Sequence, residues 1–389
     1  MRAAAVLAFG LVLVTVPALG HDPSAWGGAF RSRDGGATWM PIDAGLFVGG
    51  AVALAIDPAD SNHIFLATDT RLLGSRNGGR DWSQEPASVF IGPTLAVVFE
   101  PSGKVVLAAT AAGLFRSENG AAWKGIDLPT SALPVRSIVA GTATGRFYLT
   151  GARGVFRSDD HGRTWARLGE SLPDAPFTAL AVVAHPSEIV AGVVDKQVFA
   201  SADAGESWRL RSTGLDGQIG TIVADPAAGR VWAAAGDRLY RSDDSAQTWR
   251  TVGRPLPQPG TRTRGIAASA EGTIIVLSTD RGVYRSQDAG DSWTLIEGNL
   301  PVHLESAPLV RDPGDLGTIY VGFSLTPYDE IWRRAVEGSN LLAQVDPMSL
   351  AGGAAFLILL ALAAIYAVRR LLRFARRVDA TPTTRTPQA

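Results

Sequence analysis

Ser158-Asp159-Asp160-His161-Gly162-Arg163-Thr164-Trp165 is one of seven copies of a short box in this 389-residue chain. The others are Ser32 to Trp39 (SRDGGATW), Ser75 to Trp82 (SRNGGRDW), Ser117 to Trp123 (SENGAAW), Ser201 to Trp208 (SADAGESW), Ser242 to Trp249 (SDDSAQTW) and Ser286 to Trp293 (SQDAGDSW). Their first serines lie 43, 42, 41, 43, 41 and 44 positions apart. A period in the forties flanked by strand signals predicts the blades of a β-propeller. Seven of the ten tryptophans close a box, so the repeat also distributes the largest apolar side chains.

Most boxes follow a short apolar pair: Ala29-Phe30, Leu114-Phe115, Val155-Phe156, Val198-Phe199, Leu239-Tyr240 or Val283-Tyr284. That is strand chemistry leading into a turn. The third box position, occupied by Asp34, Asn77, Asn119, Asp160, Asp203, Asp244 and Asp288, suits a side chain that accepts backbone N–H groups across that turn. Glycine at the fifth position supplies a conformation that a Cβ penalises. Trp39, Trp82, Trp123, Trp165, Trp208, Trp249 and Trp293 offer area to pack between neighbouring blades. The box therefore reads as a fold device, with metal or ligand binding by a box Asp as the lesser alternative.

The pattern resembles the Asp-box repeat, S-x-D-x-G-x-T-W, of bacterial neuraminidases, sortilin-type receptors and photosystem II assembly-factor-like propellers, over about residues 26–334. Three boxes depart from it. The third is one residue short with Ala in place of Gly, the second has Asp81 for Thr, and the sixth has Ala246 for Gly. Those three turns are expected to be looser.

Between boxes lie small and β-branched runs such as Val52 to Pro58, Leu95 to Pro101, Ala179 to Pro186 and Ile222 to Pro226, each followed by a second strand. Seven inner and seven outer pairs make seven blades. The chain opens with an outer pair and closes with an inner pair near Leu309 to Phe323, so both termini should complete one blade. Glu330-Ile331-Trp332-Arg333-Arg334 reads as a spare third strand. The expectation is an all-β, seven-bladed propeller with Asp-box turns plus one C-terminal transmembrane helix.

The ends carry their own signals. Residues 1–20 (Arg2, an apolar run, then small residues) read as a secretory signal, cut after Ala18 or Gly20. The propeller is expected over 21–338 and a linker over 339–347. Residues 348–368 hold no charge, long enough for one span. Arg369, Arg370, Arg373, Arg376 and Arg377 open a basic tail, 369–389, on the cytoplasmic side. The expected location is the inner (cytoplasmic) membrane, single-pass, with the propeller on the periplasmic side. That exported part has 29 basic and 36 acidic side chains, which argues against nucleic acid as a partner. Without cysteine there is no disulfide frame, metal thiolate or thiol nucleophile.

Function is sought on the face opposite the boxes, where loops sit on a rigid scaffold. Turns there present Arg71, Arg153, Lys196, Arg238 and Arg281, and one inter-blade loop adds Arg254, Arg262 and Arg264. A ring of such residues would grip an acidic partner segment or carboxylates; Asp-Arg and Asp-Lys pairs serving only as soluble turns are the plainer alternative. A second basic set, Arg31, Arg116, Arg157, Arg241 and Arg285, directly precedes boxes and reads as inter-blade pairing or edge protection.

The resemblance also implies a sialidase test: an arginine triad, a Tyr nucleophile with a Glu partner, and an acid/base Asp. Only Tyr328, beside Asp329 and Glu330, is placed for such a role. The expected arginine-isoleucine-proline signature is absent, and those enzymes have six blades. His63, His161, His185 and His303 are scattered over separate turns, and His21 becomes a terminal chelator only if the signal is cut after Gly20. Neither a metal nor a cofactor is expected. The reading is a membrane-anchored binding, assembly or stability module for a membrane protein complex. A sialidase-like hydrolase or glycan-binding protein is the alternative, and a sortilin-like peptide receptor ranks last because no Cys-rich companion region is present.

Overall fold

The computed structural model describes residues 27–339, apart from 44–45, 91, 170–171, 174, 184–188, 195–196 and 226–228, together with 365–366 and 368–369. Two compact units are present, Met1–Ala335 and Val336–Ala389. The first carries the propeller. The expected signal at 1–20 lies outside the described residues, as does all of 348–368 except 365–366 and 368, which are helical. Among the described residues no helix is long and apolar enough to cross a membrane.

Seven four-stranded antiparallel sheets form the first unit. Six are contiguous in sequence, and we number them as blades 1 to 6: 51–84, 94–126, 137–168, 177–210, 221–252 and 263–295. Each runs from an innermost first strand to an outermost fourth strand. Blade 7 is shared between the chain's two ends. Its inner strands are Glu305–Arg311 and Ile319–Ser324, its outer strands Gly28–Ser32 and Met40–Pro41. Ile319–Ser324 pairs with Gly28–Ser32 in a continuous register from Gly28 opposite Phe323 to Ser32 opposite Ile319. Each inner strand touches the next around the ring, and that of blade 7 touches that of blade 1. The chain is a closed seven-bladed β-propeller.

The core lies between blades as seven apolar clusters. Ala29 and Tyr320 of blade 7 meet Leu54, Ile64 and Leu66 of blade 1 in one of them. Phe30 packs edge-on against Phe323 with ring centroids 5.4 Å apart, locking the closing seam.

The boxes close their turns with one repeated set of bonds. In six of them the serine Oγ accepts the fifth-position amide at 2.7–2.9 Å. The Asp or Asn Oδ1 accepts the seventh-position amide at 2.9 Å. Gly205 shows why the fifth position favours glycine: its φ is +96°, and a Cβ would meet Leu168 Cδ1 at 2.4 Å. The expected loosening holds for one of the three variant boxes. Asn77 Nδ2 donates to Asp81 Oδ2 at 2.7 Å, replacing the Thr hydroxyl of the second box. Ala246 takes φ +62° and keeps its bond to Ser242. In the short third box, Ser117 Oγ is buried without a partner.

The basic residues before the boxes bind across the blade seams. Arg31 donates to Gly78 O, Arg116 to His161 O, Arg157 to Ala204 O and Arg285 to Gly35 O, at 2.7–2.9 Å. Each acceptor is the fourth residue of the next blade's box, and all four have positive φ, from +57° to +71°. The left-handed turn therefore presents a carbonyl to the neighbouring arginine. Arg241 differs, lying over the Trp232 ring at 5.5 Å and pairing with Asp243.

One element departs from the sequence reading. Glu330 to Arg334 is not a spare strand but part of a helix, α1 (Tyr328–Ser339). Tyr328, Ile331, Trp332 and Ala335 fall at i, i+3, i+4 and i+7, which is a helical stripe, and Ile331 and Ala335 are buried. Asp329 and Glu330 occupy the first turn, where the helix dipole favours negative charge. Glu330 then pairs with Arg333 and Arg334 one turn on.

Candidate functional site at the mouth opposite the boxes

The topology puts the boxes, which join third and fourth strands, on the same face as the turns joining first and second strands. The inner strands start on the other face, here called the loop face. On that face α1 follows directly from Ile319–Ser324 and lies against the starts of several inner strands. The Tyr328 hydroxyl lies between the carbonyls of Ala51 (2.8 Å) and Ala307 and donates to them. Its amide donates to Glu305 Oε2 at 3.1 Å. Arg136, just before the inner strand of blade 3, lies over the Trp332 ring at 5.2 Å. The helix thus touches blades 1, 3 and 7 at the end of the central channel.

Tyr328 is an anchor in this setting. Burial pushes its phenol well above the ordinary tyrosine value, and its proton is committed to backbone carbonyls. Glu330 is turned to Arg333 and Arg334, whose hydrogen bonds hold its carboxyl below the usual range. Asp329 lies 3.7 Å from both Arg262 and Arg264. Of the three residues considered for sialidase chemistry, Tyr328 is bonded to backbone carbonyls, Glu330 is paired with two arginines of its own helix, and Asp329 is exposed beside Arg262 and Arg264.

The predicted basic positions divide into groups. Arg262 donates to Asp280 Oδ2 at 3.0 Å and lies near Glu305 and Asp329; the Asp280 bond, with burial working against it, raises its pKa. Arg264 Nη2 sits 3.1 Å from Glu305 Oε2, an ion pair off the line of a hydrogen bond, with its guanidinium 5.5 Å from the Tyr328 ring centre. These two are neutralised by acids from blades 6 and 7 and from α1, so a uniformly cationic ring is not formed. Arg238 and Arg281 are exposed; Arg238 reaches Asp216 at 3.9 Å and Arg281 donates to Pro259 O at 3.3 Å. Arg71 makes long contacts to Gln84 and Phe47 O near the outer edge of blade 1. Arg153 is exposed, its amide donating to Ser131 O. Lys196 lies outside the described residues.

Arg254 belongs elsewhere. Its amide donates to Gly290 O and its carbonyl accepts Trp293 Nε1 at 2.9 Å, beside the box of blade 6. The same inter-blade loop then reaches the loop face, where the Leu256 amide donates to Asp237 O and Pro259 O accepts from Arg281, before Arg262 and Arg264.

A cleft on the loop face runs along the seam of blades 5 and 6. It encloses about 600 Å³ between Asp216, Gln218, Asp237, Arg238, Arg262 and Thr263. Both signs of charge and backbone edges line it, an arrangement suited to a polar, extended segment rather than a buried apolar ligand. Among the described residues no three His, Asp or Glu side chains gather to hold a metal ion. Sequence reasoning missed α1 as the mouthpiece of this face, although the spacing of Tyr328, Ile331, Trp332 and Ala335 carried the signal.

No family model matches the chain. It is 29% identical over 227 residues to a xyloglucanase of Hypocrea jecorina, covering 55% of this chain and 26% of that protein. A Paenibacillus xyloglucanase is 26% identical over 179 residues, covering 35% of this chain and 17% of that protein. The chain thus spans about a quarter or less of these curated relatives. Among solved structures, YCF48 bound to a D1 peptide superposes with a TM-score of 0.55 at 17% identity, covering 80% of this chain and 98% of that one. The GH74 xyloglucanase of Xanthomonas campestris superposes with a TM-score of 0.53 at 19% identity, covering 74% of this chain and 55% of that one. These likenesses establish the propeller fold.

Proposed function

We propose that this protein is a binding and assembly module that holds a polar segment of a membrane protein partner on its loop face, along the cleft between blades 5 and 6. One observation carries the reading: the match with YCF48 bound to a D1 peptide accounts for almost all of that chain, whereas nearly half of the xyloglucanase structure has no counterpart here. The exposed Arg238, beside Asp216, and the exposed Arg281, beside Pro259 of the following loop, supply charge for such a segment. Export by residues 1–20 and anchoring by 348–368 belong to the same proposal. They rest on the uncharged 21-residue run and the arginines that follow it.

Gentle detergent extraction of natively expressed protein should recover a membrane partner, and Arg238→Glu with Arg281→Glu should deplete it. Undiminished recovery with that double variant would remove the cleft from the proposal. Carbonate-washed membranes should retain the full chain and release a variant lacking 348–389.

A second reading is supported by the xyloglucanase sequence matches: a glycan-binding protein or glycoside hydrolase. Release of reducing sugar from xyloglucan or a sialoside by the purified chain would favour it. Tyr328→Phe should leave any such activity intact, because the phenol is buried and committed to backbone carbonyls, whereas loss of activity in Glu330→Gln would support a catalytic role for that carboxylate.

A further inference from the structure

Two departures from the repeat meet across one seam of the box face. Six boxes carry Gly, Ala or Ser at the fourth position, whereas the box of blade 3 carries His161. Where an acid precedes proline at the end of a first strand, it is Asp57, Asp225 or Asp312 in blades 1, 5 and 7, but Glu100 in blade 2. The longer side chain reaches the neighbouring blade. Glu100 Oε1 accepts the Gly145 amide at 2.7 Å and lies 2.8 Å from His161 Nδ1. Its Oε2 accepts the Ser102 hydroxyl at 2.8 Å, and the residue is buried. Gly145 has φ +79°, and a Cβ there would meet three imidazole atoms at 3.2–3.3 Å, so the ring lies against that glycine. The His161 backbone is held as well, its amide by Gly145 O and its carbonyl by Arg116 Nε.

An ionised carboxylate only accepts hydrogen bonds. Nδ1 therefore carries its proton toward Glu100, and Nε2 is the ring nitrogen left for the surroundings. These are an open cleft of about 400 Å³, and the His161 side chain is 39% exposed. The charged groups lining it are Lys104, Arg116, Arg163, Glu100 and Glu118. Three cations against two carboxylates leave one positive charge with a neutral imidazole and two with an imidazolium. Of the charges close by, Arg146 is paired with Asp159, Asp160 bonds within its own turn, and Lys124 acts on Glu118.

The ligand that fits is an anion with a proton to give. A metal ion would face Lys104 and two guanidinium groups. Glu118 Oε1 accepts from Arg116 Nη1 at 3.0 Å and lies 3.8 Å from Arg163 Nη2, so its exposed Oε2 is an acceptor turned to neither. The Arg116 hydrogen bond holds that carboxyl below the usual range, so it accepts as a carboxylate. Sulfate would set bare oxygens against it. Monohydrogen phosphate has one O–H for Glu118 and three oxygens for Lys104, Arg163 and the imidazolium, and its charge of two matches the site's.

We infer that this cleft, at the seam of blades 2 and 3 on the box face, binds inorganic phosphate with His161 Nε2 donating to it. The site lies on the face opposite the proposed partner cleft and is independent of that function.

The test is NMR of the full chain in detergent, with its histidine rings isotopically labelled, titrated with phosphate or sulfate in a buffer free of both. The His161 signal is the one lost in His161→Asn, a residue that tolerates the left-handed backbone there. Phosphate should move that signal saturably and, by linkage, shift its titration to higher pH. Sulfate should bind about tenfold more weakly or worse, the cost of one missing charge-assisted hydrogen bond. Glu118→Gln should bring the two anions to similar affinity, and Lys104→Met should weaken phosphate about tenfold. A His161 signal that ignores phosphate overturns the inference and leaves Glu100 and His161 as a pin between blades. Sulfate binding as well as phosphate in the unaltered chain overturns it too, as does a folded Lys104→Met chain that binds phosphate as the parent does. Because both anions probe the unaltered chain, the result stands even if a variant fails to fold.

Discussion

The two faces of this propeller are built from the same strands yet follow opposite rules. On the box face, six turns repeat one hydrogen-bond set and four arginines each bind the fourth residue of the next box. On the loop face almost nothing repeats. Inner strands of blades 1, 2, 4, 6 and 7 shift register near their starts, and bulges of this kind re-aim side chains at barrel and propeller rims. A helix covers the channel end, and charges pair between blades in combinations used once. Repetition marks what holds the ring together, and its loss marks the face to which partner binding is assigned in our proposal.

The sharpest break of this contrast is at the seam where the ring closes. Phe30→Ala removes a fully buried ring packed on Phe323 and should cost roughly 3–5 kcal/mol, read as a fall in the denaturation midpoint. A cost below about 1 kcal/mol would mean the outer strands of blade 7 contribute little to closure.

Acid titration separates two further sets of groups. Desolvation opposes ionisation of Asp34, Asp160 and Asp203, yet hydrogen bonds from Thr38, Thr164, Ser201 and Ser207 hold each at about 2. Depressed values mean that their stabilisation is present above the unfolded value near 4 and is lost as pH falls through about 2. Asp43 is the reverse: burial raises it to about 6 despite its bond from the Ala29 amide. The folded state then binds the extra proton, so stability declines as pH rises from about 4 through 6, by roughly 3 kcal/mol. Asp43→Asn should abolish that decline and leave the acid-side loss intact.

Smaller effects come from single contacts. Arg157→Met unbinds Ala204 O along with Asp159 and Glu206 and should cost about 1–2 kcal/mol. Arg238→Glu on the loop face should change stability by no more than about 0.5 kcal/mol. Equal losses for the two, measured by urea denaturation, would erase the distinction between faces.

Much of this organisation was legible in the residues. The spacing of Ser32, Ser75 and their counterparts counted the blades, and the order of outer and inner pairs implied the shared seventh blade. Arg31, Arg116, Arg157 and Arg285 kept register with the boxes because they act on them. What depended on distant pairing was not legible. Arg262 and Arg264 looked like free cations, but their partners Glu305 and Asp329 lie 41 to 67 residues away. Arg254 shares a short loop with them, yet its backbone bonds Gly290 and Trp293 of the next blade's box. Residues 330–334 looked like a strand because the window was too short to show the helical period that begins at Tyr328.

Photo-crosslinking in native membranes tests the division of labour most directly, with the crosslinker placed at Arg238 or Arg281 on the loop face and at Arg33 or Arg163 on the box rim. Partner adducts from the two loop-face positions and none from the rim are the predicted result. Adducts from the rim positions alone would contradict it.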